Sequence, residues 1–269
     1  MNIYKIENLS FRYQKNQNYI LKNISFEIEE GGFYLICGKS GSGKTTLLQL
    51  LKKEIMPQGD ITGNIFINNS TSQPEDIGYI FQNPDFQIVS HKVIHELSFG
   101  LENMSMSLKE MKRRVGEIVN YFNLQNIINN DTQSLSGGEK QLVNLASVMV
   151  MNPSVILLDE ATAQLDPVNR DEFIRILKQL NDDFDITIIL VEHQLEGLLD
   201  VANRLILLDH GQKVIDDQIE KAVKKMLTED VFVAALPNYV RVSTLANALC
   251  LTVKQAREAL KDYHDFDIK

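Results

Sequence analysis

Basic residues are in deficit in this chain. Among 269 residues, 27 lysines and arginines face 36 aspartates and glutamates, for a net charge of −9. A general nucleic-acid binder presents a basic face to phosphate, so no nucleic-acid partner is expected. Long apolar runs are also missing. Runs such as residues 155–158, 186–191 and 205–208 fall far short of the roughly 20 residues that cross a bilayer. Residues 1–7 lack the basic start and apolar stretch of a secretory signal. The chain is therefore expected in the cytoplasm unless a partner holds it at a membrane. Cysteine is scarce: Cys37 and Cys250 lie far apart. That spacing argues against a disulfide framework and for two small apolar residues in a reducing compartment. Internal repeats and low-complexity stretches are absent, which removes the repeat architectures.

What is present is an ordinary globular composition, 44% hydrophobic and 23% charged, with length for one large α/β domain and an appendage. Residues 3–7 and 20–29 read as strands, and 33–37 as a short buried strand. A helix is expected over 43–53 and another strand over 61–67. Apolar residues at three and four spacing then predict helices over 93–101, 108–123 and 139–151, the last stopped by Pro153. The runs 155–158, 186–191 and 205–208 read as parallel strands buried on both faces. A short strand near 213–216 and helices over 218–227, 242–249 and 253–263 follow. The expected division is a domain over 1–212 with a helical insertion at about 84–152, and a C-terminal extension over 213–269.

Gly38 to Thr45 fits the pattern G-x-x-x-x-G-K-[ST] between a strand and a helix. Such a loop curls backbone N–H groups around a phosphate, and the helix start adds positive potential. Gly38, Ser40, Gly41, Ser42, Gly43 and Thr46 belong to this cradle. Lys44 is the candidate for the β- and γ-phosphates, and the Thr45 hydroxyl for magnesium. The expected ligands are a nucleoside triphosphate and Mg2+. Asp159 and Glu160 end an apolar strand, at the sheet edge where α/β proteins bind ligands. Asp159 is the candidate magnesium partner. Glu160 is the candidate general base toward water.

Between these two motifs stands Leu135-Ser136-Gly137-Gly138-Glu139. That run, with the phosphate loop, Gln82, Asp159-Glu160, Leu165-Asp166 and His193 in this order, resembles the ABC ATPases from about residue 3 to 215. The resemblance implies a P-loop NTPase fold. Its parts would be a mostly parallel core sheet, an N-terminal antiparallel β subdomain, a helical insertion and a small, mainly helical C-terminal extension. It implies ATP as the nucleotide, and roles too. Gln82 would touch magnesium and water. Ser136, Gly137, Gly138 and Glu139 would serve the γ-phosphate of ATP held by a second subunit. Leu165-Asp166 would communicate across the dimer, His193 would bond the γ-phosphate, and Tyr13 would stack on adenine.

The stretch Phe81-Gln82-Asn83-Pro84-Asp85-Phe86-Gln87 is similar to the corresponding region of energy-coupling-factor (ECF) ATPases, which serve vitamin, cobalt and nickel uptake. The resemblance implies three partners: a second ABC ATPase subunit, identical or paralogous; a transmembrane coupling subunit; and a substrate-binding membrane subunit. It implies a peripheral position on the cytoplasmic face of the membrane. Other ABC importers, a soluble ABC ATPase and a nucleotide-gated module without transport remain open alternatives. Leu142, Ala161, Gln164 and Glu192 depart from the family pattern, where arginine, proline, a small residue, and threonine or serine are usual. Leu142 and Gln164 point to a specialised pairing partner.

Overall fold

A computed structural model describes residues 1–14, 17–68, 76–246 and 248–261. Its centre is a six-stranded sheet. The strands are β3 (Phe33–Gly38), β5 (Ile77–Ile80), β6 (Val155–Asp159), β7 (Thr187–Val191), β8 (Arg204–Asp209) and β9 (Gln212–Gln218). They lie in the order β5-β6-β7-β3-β8-β9. The pairings from β5 through β8 are parallel, and β9 joins β8 antiparallel.

Alternate residues of the same strands feed different cores, which is why these strands read as unbroken apolar runs. Leu35, Leu158, Leu190 and Leu207 join the core beneath the helices. Ile36, Leu157, Val191 and Leu208 join a second core beneath a three-stranded antiparallel sheet. That smaller sheet runs β2-β1-β4, with β1 at Asn2–Tyr13, β2 at Leu21–Glu29 and β4 at Gly59–Ile67. Helix α1 (Lys44–Leu50) also packs in the second core.

The insertion holds α2 (Val93–Asn103), α3 (Leu108–Tyr121) and α4 (Gly137–Met149). Helix α5 (Pro167–Phe184) connects β6 to β7. It begins where Asp166 accepts the N–H groups of Val168 and Asn169, with Pro167 in the first turn. No helix among the described residues is long and apolar enough to cross a membrane.

Two local readings change, and one strand escapes the sequence reading. Strand β5 is four buried residues, too short to carry a periodicity. Helix α1 stops at Leu50 rather than residue 53. The helix expected over 242–249 is replaced by α7 (Asn238–Ser243) and a 3-10 turn at Thr244–Ala246. There the buried Ser243 hydroxyl donates to Val240 O and accepts from Cys250 N–H, and this local bonding competes with continued helix. Helices α6 (Ile219–Thr228) and α8 (Val253–Ala259) complete the C-terminal part. Residue 247, and 262–263 of the expected final helix, lie outside the described residues.

Candidate nucleotide site

The phosphate loop leaves β3 and enters α1 at the C-terminal edge of the parallel sheet. Glycine is required at its start. Gly38 has φ +149°, and a Cβ there would sit 2.1 Å from Leu208 O. Gly43, at φ +98°, occupies the N-cap of α1. Ser40, Gly41 and Thr45 are exposed, whereas Ser42, Gly43, Lys44 and Thr46 are buried. The Lys44 ammonium, on a residue 4% exposed, donates to Gly38 O at 3.0 Å and Lys39 O at 3.1 Å. Burial pulls its pKa below the usual lysine value, and the Glu160 carboxylate partly restores it.

The magnesium candidates form a second cluster. Thr45 Oγ1 donates to Asp159 Oδ1 at 3.0 Å, and Tyr79 OH donates to Asp159 Oδ2 at 3.2 Å. Burial pushes the Asp159 carboxyl up, against the lowering effect of those two bonds. Hydroxyl and carboxylate oxygens are the donors that magnesium takes. Among the described residues, the buried Ser42 hydroxyl has no hydrogen-bond partner, an orphan inside the loop that a phosphate oxygen would satisfy. On both counts, the residues fit a magnesium-bound triphosphate.

A third cluster spans the edge of the sheet. Glu160 follows β6 in a left-handed conformation, φ 49°, which costs a non-glycine residue roughly 1–2 kcal/mol. That turn aims its carboxylate sideways. Oε1 lies 2.6 Å from His193 Nε2, and Oε2 accepts from Gln82 Nε2 at 3.1 Å. His193 Nδ1 lies 3.1 Å from Gly38 O and 3.5 Å from Lys44 Nζ. Gln82, Glu160, His193 and Lys44 thus form one connected chain of side chains. Tyr13 stands beside it on β1. Its hydroxyl is 3.1 Å from Thr46 Oγ1, and its ring meets Phe11 edge-on at 5.0 Å.

Ser136 is placed differently. It N-caps α4 in a capping box: its hydroxyl accepts from Glu139 N–H and donates to Glu139 Oε2, which also takes the Ser136 N–H. Ser136 and Gly137 are exposed. Gly138 packs on Asn169, whose side-chain oxygen and nitrogen would lie 3.1 Å from an added Cβ. Asn169 is bonded in turn to Asp166. Among the described residues, Ser136 makes no hydrogen bond to the phosphate loop. The structure therefore gathers Tyr13, the loop, Gln82, Asp159, Glu160 and His193, and leaves Ser136 facing outward.

Sequence reasoning passed over Tyr79, Thr162 and Arg170. Tyr79 sits in the strand too short to read. The others show only as polar residues after Glu160, with no spacing to mark them. Glu192 stood out solely as a departure. In the structure it is 4% exposed, and its Oε1 accepts from Thr162 N–H at 3.1 Å and Thr162 Oγ1 at 2.6 Å. Burial raises its carboxyl pKa, against those two bonds.

This fold and site are those of an ATP-binding cassette, and comparison agrees. Residues 21–163 match the family model "ABC transporter". The chain belongs to that family. An energy-coupling factor transporter ATP-binding protein, EcfA1 of Staphylococcus aureus, is 39% identical over 212 residues, covering 76% of this chain and 77% of that one. A provisionally named ABC transporter ATP-binding protein of Bacillus thuringiensis is 38% identical over 268 residues, 96% of this chain. The chain spans about half the length of that relative, 49%. Among solved structures, CbiO1 of Clostridium perfringens, part of the ABC transporter complex CbiONQ, superposes with a TM-score of 0.75 at 28% identity. The match covers 87% of this chain and 93% of that one. The dimeric cassette MJ0796, solved with ADP and phosphate, gives 0.69 at 27% identity, over 80% and 98%.

Proposed function

We propose that this chain is the ATP-hydrolysing subunit of a membrane importer of the energy-coupling-factor kind, for vitamins or transition-metal ions. The observation that carries the hydrolytic part is the connected chain Gln82–Glu160–His193–Lys44 beside the Thr45–Asp159 pair. The EcfA1 and CbiO1 relatives support the importer branch.

In this reading the loop N–H groups and Lys44 hold the triphosphate, and Tyr13 supports the adenine. Thr45, Asp159 and Gln82 would hold magnesium, which neutralises phosphate charge when bound. Glu160 accepts a proton from water as the water oxygen bonds to the γ-phosphorus. The bond to the β–γ bridging oxygen breaks and ADP leaves. His193 and Lys44 stabilise the charge that develops. Ser136, exposed at a helix start, serves ATP on a second subunit, so ATP closes the dimer and its hydrolysis opens it.

A membrane subunit has a seat beside Gln82. A groove of about 440 Å³ there is lined by Tyr79, Phe81, Val89, Phe99, Met104 and Met151. Val89 in that lining is 62% exposed, and Phe86, 80% exposed, immediately precedes the lining residue Gln87. Bare aromatic and aliphatic side chains of this kind suit a short helix of a partner.

The test is Glu160→Gln. It should cut turnover by about 10²–10⁴-fold while leaving an ATP-bound dimer on a sizing column. Wild-type turnover in that variant would remove Glu160 from the role. Co-purification of a polytopic membrane protein from detergent extracts decides for transport, and its absence decides for a soluble ATPase.

A further inference from the structure

We propose that Glu192 is a positioning residue, whose buried carboxylate clamps the His193 segment to the segment following Glu160. This rests on the reading of Glu160 and His193 as the hydrolytic pair. A carboxylate 4% exposed is costly to bury, and no step above uses it.

Its bonding explains its presence. The Thr162 hydroxyl spends its proton on Glu192 Oε1 at 2.6 Å. A lone pair of that hydroxyl then accepts from Arg170 Nε at 3.2 Å. Arg170 Nη2 donates to Gln194 O at 3.0 Å. The two sequence neighbours of His193 are therefore both tied, one through its side chain and one through its carbonyl, to residues 162 and 170. Backbone bonds close the frame. Glu192 N–H donates to Ile36 O at 3.0 Å, just before the phosphate loop, and Glu160 N–H donates to Val191 O at 3.0 Å.

The same clamp reaches toward the partner. Leu165 N–H donates to Thr162 O at 3.1 Å, and Arg170 N–H to Asp166 O at 2.9 Å. Residues 162–170 thus carry Leu165 and Asp166 on the frame that holds His193. Glu192 and Arg170 bring opposite charges to the ends of the Thr162 bridge, which strengthens each bond in it. The consequence is mechanical. His193 Nε2 keeps its 2.6 Å spacing to Glu160 because residues 192 and 194 cannot drift from residues 162 and 170.

The test uses the full chain in its native assembly, with Glu192→Ala, Glu192→Gln, Thr162→Val and the double variant Glu192→Ala/Thr162→Val. Glu192→Ala should lower kcat by about tenfold or more with KM for ATP within about threefold, since the phosphate loop is untouched. Glu192→Gln keeps an acceptor oxygen and should recover kcat to within about threefold of wild type. Thr162→Val, nearly isosteric, should reproduce the alanine effect, and the double variant should be no worse than either single, as coupled partners behave. Hydrogen exchange on the nucleotide-free chain gives a reading independent of turnover. Glu192→Ala should raise exchange at 161–165 and 193–195 together, with 44–50 still protected. An unchanged kcat, additive losses in the double variant, or faster exchange confined to one segment would each overturn the clamp. An inactive wild type sinks the proposed hydrolysis instead, and the exchange result still decides the clamp.

Discussion

Lys44 and Ser136 both stand at the start of a helix with glycine beside them, Gly43 before the one and Gly137 after the other, but they are bonded in opposite ways. Lys44 is buried, and its ammonium is held by Gly38 and Lys39 carbonyls beside His193. Ser136 is exposed, and its polar groups close on its own Glu139. The phosphate loop is thus wired to the acidic strand end and to His193 within one chain. In the signature segment, the polar groups of Ser136 close on Glu139, and Gly138 packs against Asn169. The contrast supports the proposed division of labour, in which one copy supplies the binding and hydrolytic groups and its Ser136 serves ATP on a second.

The comparison can be broken most severely at Lys44. Lys44→Ala removes charge-assisted bonds to phosphate, each worth about 1.5–3 kcal/mol, so ATP affinity should fall by roughly 10²-fold or more. Calorimetry on the isolated chain reads this directly, and retained affinity would refute the loop assignment. Ser136→Ala should behave oppositely. Turnover of the assembly drops by about tenfold, while ATP affinity of the isolated chain stays within about twofold. For an assembly of two copies, mixing Lys44→Ala with Ser136→Ala chains should restore turnover, because the mixed dimer keeps one intact composite site. Failure to restore it would mean Ser136 works within its own chain.

Smaller effects sharpen the comparison. Burial raises the folded-state pKa of Glu192. A raised carboxyl contributes stability that is complete below the unfolded pKa and lost as pH rises through the folded value. Glu192→Gln has no such proton to lose. Its unfolding free energy relative to wild type should therefore improve over the range of rising pH above the unfolded carboxyl value of about 4.3, as urea melts would reveal. A flat difference across that range would refute a raised Glu192. Smallest is Glu139→Ala, which opens the capping box of α4 and should cost about 0.5–2 kcal/mol. Thermal melting measures it, and ATP affinity of the isolated chain should not move.

Much of this was legible in the chain itself. The runs 155–158, 186–191 and 205–208 declared buried parallel strands, because a strand covered on both faces has no polar side to show. The phosphate loop declared itself through glycines that no other residue replaces at Gly38. Strand β5 stayed hidden, since four residues carry no period, and Tyr79 was hidden with it. The helix expected over 242–249 failed because Ser243 bonds its neighbours locally instead of continuing the turn. Glu192 was visible as an oddity, but its partners were not. Thr162 and Arg170 lie 30 and 22 positions away and share no pattern with it.

The sequence by itself determined the α/β class, the phosphate loop, the acidic strand end and the candidates His193, Gln82 and Ser136. Local spacing and glycine chemistry suffice for the first three, because each is written in neighbouring residues, whereas His193, Gln82 and Ser136 were candidates only through the resemblance to the ABC ATPases. Only the tertiary structure decided that Glu160 meets both His193 and Gln82, that Asp159 is shared by Thr45 and Tyr79, and that Ser136 turns away from its own loop. These contacts join residues up to 114 positions apart, as Thr45 and Asp159 are. Strand order in the central sheet sets which loops become neighbours, and strand order is a property of the packed sheet that no stretch of sequence spells out.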